Sequence, residues 1–220
     1  MRLGLTMLFF GICLACFPNT IIVGSNQPVH SLKKAFETAK DKDSIILLPG
    51  IYKEGPLVLT KSITLLGQDN PVLDGENKYE ILLISGKNIT ISGLVFRNSG
   101  YSAMNDYASI KIVDASDITI ENNIITGAYF AIHISNTTYA TLRNNTIIGL
   151  PRSEQLTGNA IHLWYCKNIT ITKNHAEGHR DGIYLEFVAN SIIENNLVIH
   201  NHRYGLHFMF SDNDSYLHNR

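Results

Sequence analysis

Residues 158–210 read GNAIHLWYCKNITITKNHAEGHRDGIYLEFVANSIIENNLVIHNHRYGLHFMF, and one unit occurs three times within them. Each copy contains an apolar residue, a polar or aromatic residue and a second apolar residue, and two earlier copies precede this stretch. The five triplets are Ile110-Lys111-Ile112, Ile132-His133-Ile134, Ile161-His162-Leu163, Ile183-Tyr184-Leu185 and Leu206-His207-Phe208. Their central residues are separated by 22, 29, 22 and 23 residues. Recurrence at about 20 to 50 residues indicates a solenoid repeat.

An asparagine follows each triplet and keeps the same four intervals. The five residues are Asn123, Asn145, Asn174, Asn196 and Asn219. By alternation along a strand, Asn123 shares a face with Ile125, so we expect the asparagine column to point inward at a bend. Amides stacked in this way can bond to one another along the repeat axis, and we therefore predict a buried asparagine ladder.

Within each unit, apolar and polar residues alternate, as in Ile118-Thr119-Ile120, so the elements are short strands. A unit of this length cannot bury its own apolar face, but copies stacked about 4.8 Å apart can. We therefore predict an all-β fold, a right-handed parallel β-helix. Residues 29–39 have helical apolar spacing and are expected to form a short helix that caps the amino-terminal end.

Composition is consistent with one globular domain, because 45% of the 220 residues are hydrophobic and 17% are charged. The 18 basic and 19 acidic residues nearly balance, which argues against a nucleic-acid partner. Residues 1–20 are predicted to be a signal peptide and residues 21–220 the β-helix domain. A lipoprotein signal ending at Cys16 stays open beside ordinary export. Either signal places the mature protein outside the cytoplasm.

The central residues of the triplets form an outward column that contains metal-binding side chains: His133, His162, Tyr184 and His207. Two positions later, the next outward column reads Ser135, Trp164, Glu186 and Met209. Imidazole and thioether suit copper, particularly the cuprous ion. We expect His207 with Met209 to be the leading pair and His133 with His162 the second. His162 and His207 lie two rungs apart, too far for one ion.

Docking of a partner protein is the alternative use of this face. Trp164, Tyr184, Phe208 and Met209 are of types enriched at interface cores, and Glu186 lies among them. We expect docking to be the main use, with metal contact as an addition. Asp181 and Gly182 are interpreted as turn residues.

Two sets of residues resemble known families. Residues 45–52, 63–67 and 73–75 resemble the first coils of the pectate-lyase-like β-helix superfamily. Residues 158–164, 178–187 and 203–211 closely resemble the NosD family of periplasmic β-helix proteins in nitrous-oxide reductase maturation. Members of that family are considerably longer, so the chain is expected to be a fragment.

The NosD resemblance implies a non-enzymatic periplasmic protein. It would act with the ATPase and membrane subunits of an ABC transporter and with a copper chaperone. Its target would be apo nitrous-oxide reductase, whose copper-sulfur centre is assembled, and copper would be bound transiently. A polysaccharide lyase or glycosidase is the alternative, because this fold often carries such enzymes. An enzyme of that kind needs paired carboxylates, whereas the outward columns offer Glu186 alone.

Overall fold

The structure, a computed structural model, describes residues 18–102, 104–150 and 153–220. The predicted signal peptide lies almost entirely outside the described residues. Among the described residues, no helix is both long and apolar enough to cross a bilayer.

The described residues form short strands throughout, together with a single α-helix and one 3-10 turn. The first elements are β1 (Thr20–Val23), α1 (Leu32–Thr38), β2 (Ser44–Leu47), β3 (Ile51–Tyr52), β4 (Leu57–Leu59), β5 (Thr64–Gly67), β6 (Val72–Asp74), β7 (Leu82–Ile84), β8 (Lys87–Ser92) and β9 (Val95–Arg97). The middle of the chain contains β10 (Ala108–Val113), β11 (Ser116–Glu121), β12 (Ile124–Thr126), β13 (Phe130–Ser135), β14 (Thr138–Arg143), β15 (Thr146–Ile148) and the 3-10 turn Glu154–Leu156. The last strands are β16 (Ile161–Trp164), β17 (Thr170–Thr172), β18 (His175–Glu177), β19 (Asp181–Glu186), β20 (Ile192–Glu194), β21 (Leu197–Ile199), β22 (Tyr204–Met209) and β23 (Ser215–Leu217).

These strands assemble into three parallel sheets that run the length of the described chain. Sheet 1 has the order β1-β2-β5-β8-β11-β14-β17-β20-β23. Sheet 2 has the order β4-β7-β10-β13-β16-β19-β22, and sheet 3 the order β3-β6-β9-β12-β15-β18-β21. From β2 onward, each complete turn of the chain therefore adds one strand to each sheet, which confirms the predicted parallel solenoid.

The core is a set of aliphatic columns enclosed by the three sheets. In sheet 2, Ile110, Ile132, Ile161 and Ile183 pair in successive strands, and all four are fully buried. Each such side chain contributes about 1.5 to 3 kcal/mol on burial. The apolar residues of successive triplets therefore stack on one another and form one continuous core.

The predicted asparagine ladder is confirmed. Asn145 Nδ2 donates to Asn174 Oδ1 at 2.9 Å and to the carbonyl of Ile120 at 2.9 Å, while its own Oδ1 accepts from Asn123 Nδ2 at 3.1 Å. The same pattern continues through Asn196 to the last member of the column. Each amide also binds backbone groups at the bend, so the buried polar atoms of the ladder are satisfied.

The amino-terminal cap is helix α1, which is shorter than the predicted range 29–39. It begins after Ser31, whose hydroxyl accepts from the Lys34 backbone N–H, because Val29 pairs with Val23 instead of joining the helix. Glu54 accepts from the first backbone N–H groups, at 2.8 Å from Leu32 N. A carboxylate at a helix amino terminus satisfies unpaired donors and complements the helix dipole.

Longer loops precede β10 and β16, and the second contains the extra residues of the 29-residue interval between His133 and His162. Both loops lie between sheet 3 and sheet 2, on one side of the solenoid. In the first loop, Tyr101 packs edge-on against Tyr129 with ring centroids 4.8 Å apart. In the second, Glu154 lies 3.6 Å from the guanidinium of Arg180 and 3.8 Å from that of Arg203. Both loops thus lie beside the strands of sheet 2.

Candidate functional site

Strand register confirms the two outward columns of sheet 2. The first column pairs in the order Lys111, His133, His162, Tyr184, His207. The second pairs in the order Val113, Ser135, Trp164, Glu186, Met209. We call these two columns the outer face of sheet 2. The 29-residue interval does not shift the register, because its extra residues are confined to a loop.

Two histidines of this face, His133 and His162, are largely shielded from solvent. His133 is only 7% exposed, and the Phe130 ring lies 5.4 Å, centroid to centroid, from each histidine. Burial lowers the pKa of His133 to about 4. Burial also lowers the pKa of His162 to about 3, and a positive charge on His133 further disfavours protonation of His162. Both imidazoles are therefore neutral at pH 7. The sequence predicts the outward position of His133 but not its burial, because the sequence pattern does not show the Phe130 ring beside it.

The imidazole rings of these two histidines pack edge to face. Their rings are 4.8 Å apart and nearly perpendicular, at 85°, so the edge of one ring faces the other. His162 Nδ1 and Nε2 and His133 Nδ1 are buried and have no hydrogen-bond partner. Across the described residues, no group of three or more His, Cys, Asp or Glu side chains could hold a metal ion. The copper assignments for His133 and His162 stay predictions.

His207 contacts a buried ion pair that the sequence pattern did not suggest. Asp181 is fully buried, and its carboxylate accepts from Arg203 Nη2 at 2.6 Å and Nε at 3.1 Å. Asp181 Oδ2 lies 3.5 Å from His207 Nδ1. A carboxylate beside Nδ1 favours the tautomer with the proton there, which leaves Nε2 as the lone-pair nitrogen. Asp181 and Arg203 are 22 residues apart, which is the interval of one rung. This spacing between opposite charges is the sequence signal that could have identified the ion pair.

The interpretation of Asp181 and Gly182 as turn residues is wrong. Asp181 begins strand β19 and bonds to Arg203 and not to its own backbone. Gly182 has no positive φ; its role is steric, because a Cβ there would come within 2.0 Å of Val198 Cγ1. Position 182 therefore faces the core. The backbone bends here, and the Asp181 side chain lies beside His207.

Tyr184 connects the two columns. Its hydroxyl donates to Glu186 Oε2 at 3.2 Å and lies 3.3 Å from Met209 Sδ. Burial, followed by the Glu186 charge, raises the pKa of the phenol, so Tyr184 stays protonated at neutral pH. Its ring packs between His162 and His207 at 4.8 and 4.7 Å. Four of the predicted residues, Tyr184, Glu186, His207 and Met209, are thereby brought together.

Phe208 does not belong to this outer face. It pairs with Leu185, which pairs with Leu163, and both leucines are fully buried core residues. Phe208 packs on Tyr216 with ring centroids 4.6 Å apart. Its 54% exposure reflects its place in the last described rung of sheet 2 and not an outward direction.

A third column, at the turn that follows sheet 2, contains stacked aromatic rings. Tyr165 stacks on Phe187 at 4.5 Å and 13°, and Phe187 stacks on Phe210 at 4.9 Å and 10°. We call these three residues the aromatic ladder. All three have left-handed backbone conformation, with φ of 52°, 54° and 51°. The equivalent residues of earlier rungs are Asp114 and Asn136, which tolerate this conformation well.

The ladder extends the outer face toward solvent. Trp164 packs edge-on against Tyr165 at 4.6 Å, and the two are 40% and 51% exposed. Phe210 is 68% exposed. Sequence reasoning missed the ladder, although its members directly follow Trp164, Glu186 and Met209, and the same intervals would have revealed it.

Cys166 lies at the end of this turn and is inert. It is fully buried, and Sγ lies 3.4 Å from the Trp164 carbonyl. Burial raises the pKa of the thiol to about 11, so the nucleophilic thiolate is scarce at neutral pH.

Solved structures with this fold include pectin-degrading enzymes. The chain is 16% identical to a pectate lyase, Pel9A, with a TM-score of 0.62 over 82% of the chain, and it spans 54% of that enzyme's length. It is 12% identical to a pectin methylesterase bound to a hexasaccharide, with a TM-score of 0.55 over 88% of the chain and 67% of the enzyme. A second complex of pectin methylesterase gives 12% identity and a TM-score of 0.54 over 93% of the chain and 81% of the enzyme. No curated protein matches the chain.

These likenesses correct one expectation. The sequence predicts a protein that is not an enzyme, and that exclusion is wrong because solved structures that share its fold include a lyase and esterases. At 12 to 16% identity the likeness concerns the fold alone. It therefore removes the ground for excluding catalysis and assigns no reaction.

The family is given by a match to a family model. The model describes a right-handed β-helix region and matches residues 68–220, which is most of the chain. This match confirms the predicted hand of the solenoid and agrees with its three parallel sheets. The chain belongs to the right-handed β-helix family.

Proposed function

We propose that this chain is a periplasmic accessory protein of nitrous-oxide reductase maturation. It works with the membrane and ATPase subunits of an ABC transporter and with a copper chaperone, in assembly of the copper-sulfur centre of the reductase. The resemblance of residues 158–164, 178–187 and 203–211 to the NosD family supports this role. These segments build the part of sheet 2 that contains Trp164, Tyr184 and His207.

The aromatic ladder carries the proposal. A bulky residue with positive φ costs about 1 to 2 kcal/mol of backbone strain, yet three successive rungs have one where Asp or Asn would fit. Because the rings stack face to face, both faces of the Phe187 ring are covered, and Tyr165 and Phe210 each have one face covered. A sugar would need an open ring face. Apolar side chains of a partner protein fit against ring edges and against Trp164.

Transient copper contact is an addition to this docking role. Asp181 beside His207 Nδ1 leaves Nε2 available, and Met209 lies two positions further along strand β22, on the same face. Imidazole and thioether together suit the cuprous ion. We expect the His207→Ala, Met209→Ala double variant to weaken cuprous binding about tenfold or more in competition with a chromophoric chelator. Equal binding by variant and wild type would remove these two residues as ligands.

The docking proposal is tested by replacing the three residues of the aromatic ladder with asparagine. Tyr165→Asn, Phe187→Asn and Phe210→Asn together place the residue type of Asn136 at each equivalent turn, which relieves backbone strain and keeps the fold. We expect the triple variant to bind the purified transporter membrane subunit about 10- to 100-fold more weakly, because exposed aromatic anchors dominate interface energies. Affinity is measured by biolayer interferometry in detergent.

The matched control is Tyr139→Asn. Tyr139 is 60% exposed and has φ of 56°, but it lies in strand β14 of sheet 1, away from the ladder. This variant should bind as the wild type does. Unchanged binding by the triple variant would refute the docking surface. Release of unsaturated or reducing sugar ends from polyuronates by the purified protein would instead support the carbohydrate-active alternative.

A further inference from the structure

Two arginines lie at the corner that precedes sheet 2, on the side opposite the aromatic ladder. Arg180 comes directly before strand β19 and Arg203 directly before strand β22, and these strands pair in adjacent rungs. The Arg203 backbone N–H donates to the Arg180 carbonyl at 2.9 Å, so the two residues follow one another along the solenoid axis. The register of sheet 2 therefore places two cations side by side at this corner.

The two guanidinium groups differ in how they are held. Arg203 donates to the buried Asp181 carboxylate through Nε and Nη2, which neutralises its charge and fixes its position. The Arg180 side chain is 45% exposed, and no residue that the structure describes accepts a hydrogen bond from its guanidinium. Arg180 therefore keeps its five N–H donors available to a ligand.

One loop carboxylate lies between the two arginines. Glu154 Oε1 is 3.6 Å from Arg180 Nε and 3.8 Å from Arg203 Nε, beyond the about 2.7 to 3.2 Å of an N–H···O hydrogen bond. Glu154 belongs to the 3-10 turn of the loop that precedes β16, and its side chain is 41% exposed. An exposed ion pair without hydrogen bonds is weak, so a carboxylate that bonds directly to Arg180 can replace it.

We propose that Arg180 and Arg203 bind an acidic side chain, Asp or Glu, of the protein that docks on the aromatic ladder. The planar fork of the Arg180 guanidinium matches a carboxylate and binds it through two N–H groups. Glu154 is then an internal competitor that the partner displaces. The contact rests on the proposed docking function and adds the charge and the orientation of the partner segment.

Strand β19 sets the dimensions of that segment. Its six residues separate Arg180 from Phe187 of the ladder, which corresponds to about 23 Å at about 3.3 Å per residue. A segment that reaches both places has its acidic residue about seven positions from its apolar residues if extended, or about 15 if helical. A polyuronate has a carboxylate on every sugar, and Glu186 would repel those that cross β19, so a peptide fits better.

Binding to the purified transporter membrane subunit at two salt concentrations tests the contact. Arg180→Gln should slow association about three- to tenfold at about 50 mM salt and have little effect at about 500 mM, because salt screens an exposed charge. Glu154→Gln should strengthen binding about threefold at low salt, because the competing carboxylate is removed. Arg203 is left unchanged, since its loss would leave Asp181 buried without a counter-charge.

A surface ion pair on sheet 1 provides the matched control. Arg143 and Glu121 pair across adjacent rungs, and Arg143→Gln and Glu121→Gln should both bind as the wild type does. Wild-type binding and salt dependence in both Arg180→Gln and Glu154→Gln would overturn the acidic contact. If the ladder triple variant loses binding in the same experiment, the docking function itself stands.

A second measurement does not require the transporter. The Arg180 Nε–H NMR signal of the full chain is titrated with a hexaglutamate peptide, and we expect it to shift with about millimolar affinity, about threefold tighter in Glu154→Gln. No shift, or equal shifts of the Arg180 and Arg143 signals, would overturn the proposal. Tighter binding of a polyuronate trimer at the Arg180 signal would assign the site to a saccharide and also overturn it.

Discussion

Asn145→Ala is expected to lower the free energy of unfolding by about 3 to 5 kcal/mol, because it breaks the buried asparagine ladder at its middle. The side chain is 1% exposed and bonds in both directions along the solenoid. Its loss leaves the Asn123 N–H group, the Asn123 amide, the Ile120 carbonyl and Asn174 Oδ1 short of a partner. Each buried polar group without a partner costs about 1 to 3 kcal/mol.

The adjacent residue provides the matched control. Asn144 is exposed and has φ of 55°, a conformation that glycine adopts without strain. Asn144→Gly should change stability by less than about 1 kcal/mol. Both variants are measured by urea unfolding followed by circular dichroism. A loss below about 1 kcal/mol for Asn145→Ala would mean that the ladder bonds are not limiting for stability.

Stability is expected to fall steeply between pH 7 and pH 5 because of buried histidines. Burial lowers the pKa of His133 and of His179 to about 4. Their unfolded pKa is about 6.5, so below that pH the unfolded chain takes up protons that the folded chain does not. At pH 5 the difference is about 1.5 pH units for each residue, or about 2 kcal/mol. The two together would lower stability by about 4 kcal/mol, and above about pH 7.5 they would have no effect.

Burial lowers the pKa of His162 to about 3, so this residue adds to the loss in the same window. Two carboxyl groups act outside this window or against it. The pKa of Asp43 is held down by backbone N–H groups, so its contribution is lost only below its usual value of 3.8. Burial raises the pKa of Glu80, and protonation of that carboxyl favours the folded state as the pH falls. A histidine cause therefore predicts a loss that begins near pH 6.5 and levels off between pH 4 and pH 3.

The histidine cause is checked with a residue that does not titrate. His133→Gln should reduce the loss between pH 7 and pH 5 by about 2 kcal/mol, whereas the exposed His218→Gln should keep the wild-type loss. Thermal unfolding at intervals of half a pH unit measures both. A variant with the same pH dependence as the wild type would show that His133 is not buried as a neutral imidazole.

The columns were predictable because one rung corresponds to a fixed interval in sequence. His162 and Tyr184 are 22 residues apart and pair directly, and Asn145 and Asn174 bond across an interval of 29. The solenoid tolerates such insertions, since parallel strands pair by their core-facing residues and leave extra residues in loops. Asp181 and Arg203 are separated by the same interval of 22 residues.

The repeating residues alone specified an all-β solenoid, its inward columns and its asparagine ladder, because strand alternation and constant spacing are local properties of the chain. At the bends, the burial of each side chain and the side of the sheet on which it lies depended on the packing of neighbouring rungs. The Phe130 ring covers His133, Gly182 turns inward beside Val198, and Asp181 thereby meets His207. A strand pattern with a period of two does not continue through a bend, so the side on which these residues lie is set by the space that adjacent rungs leave.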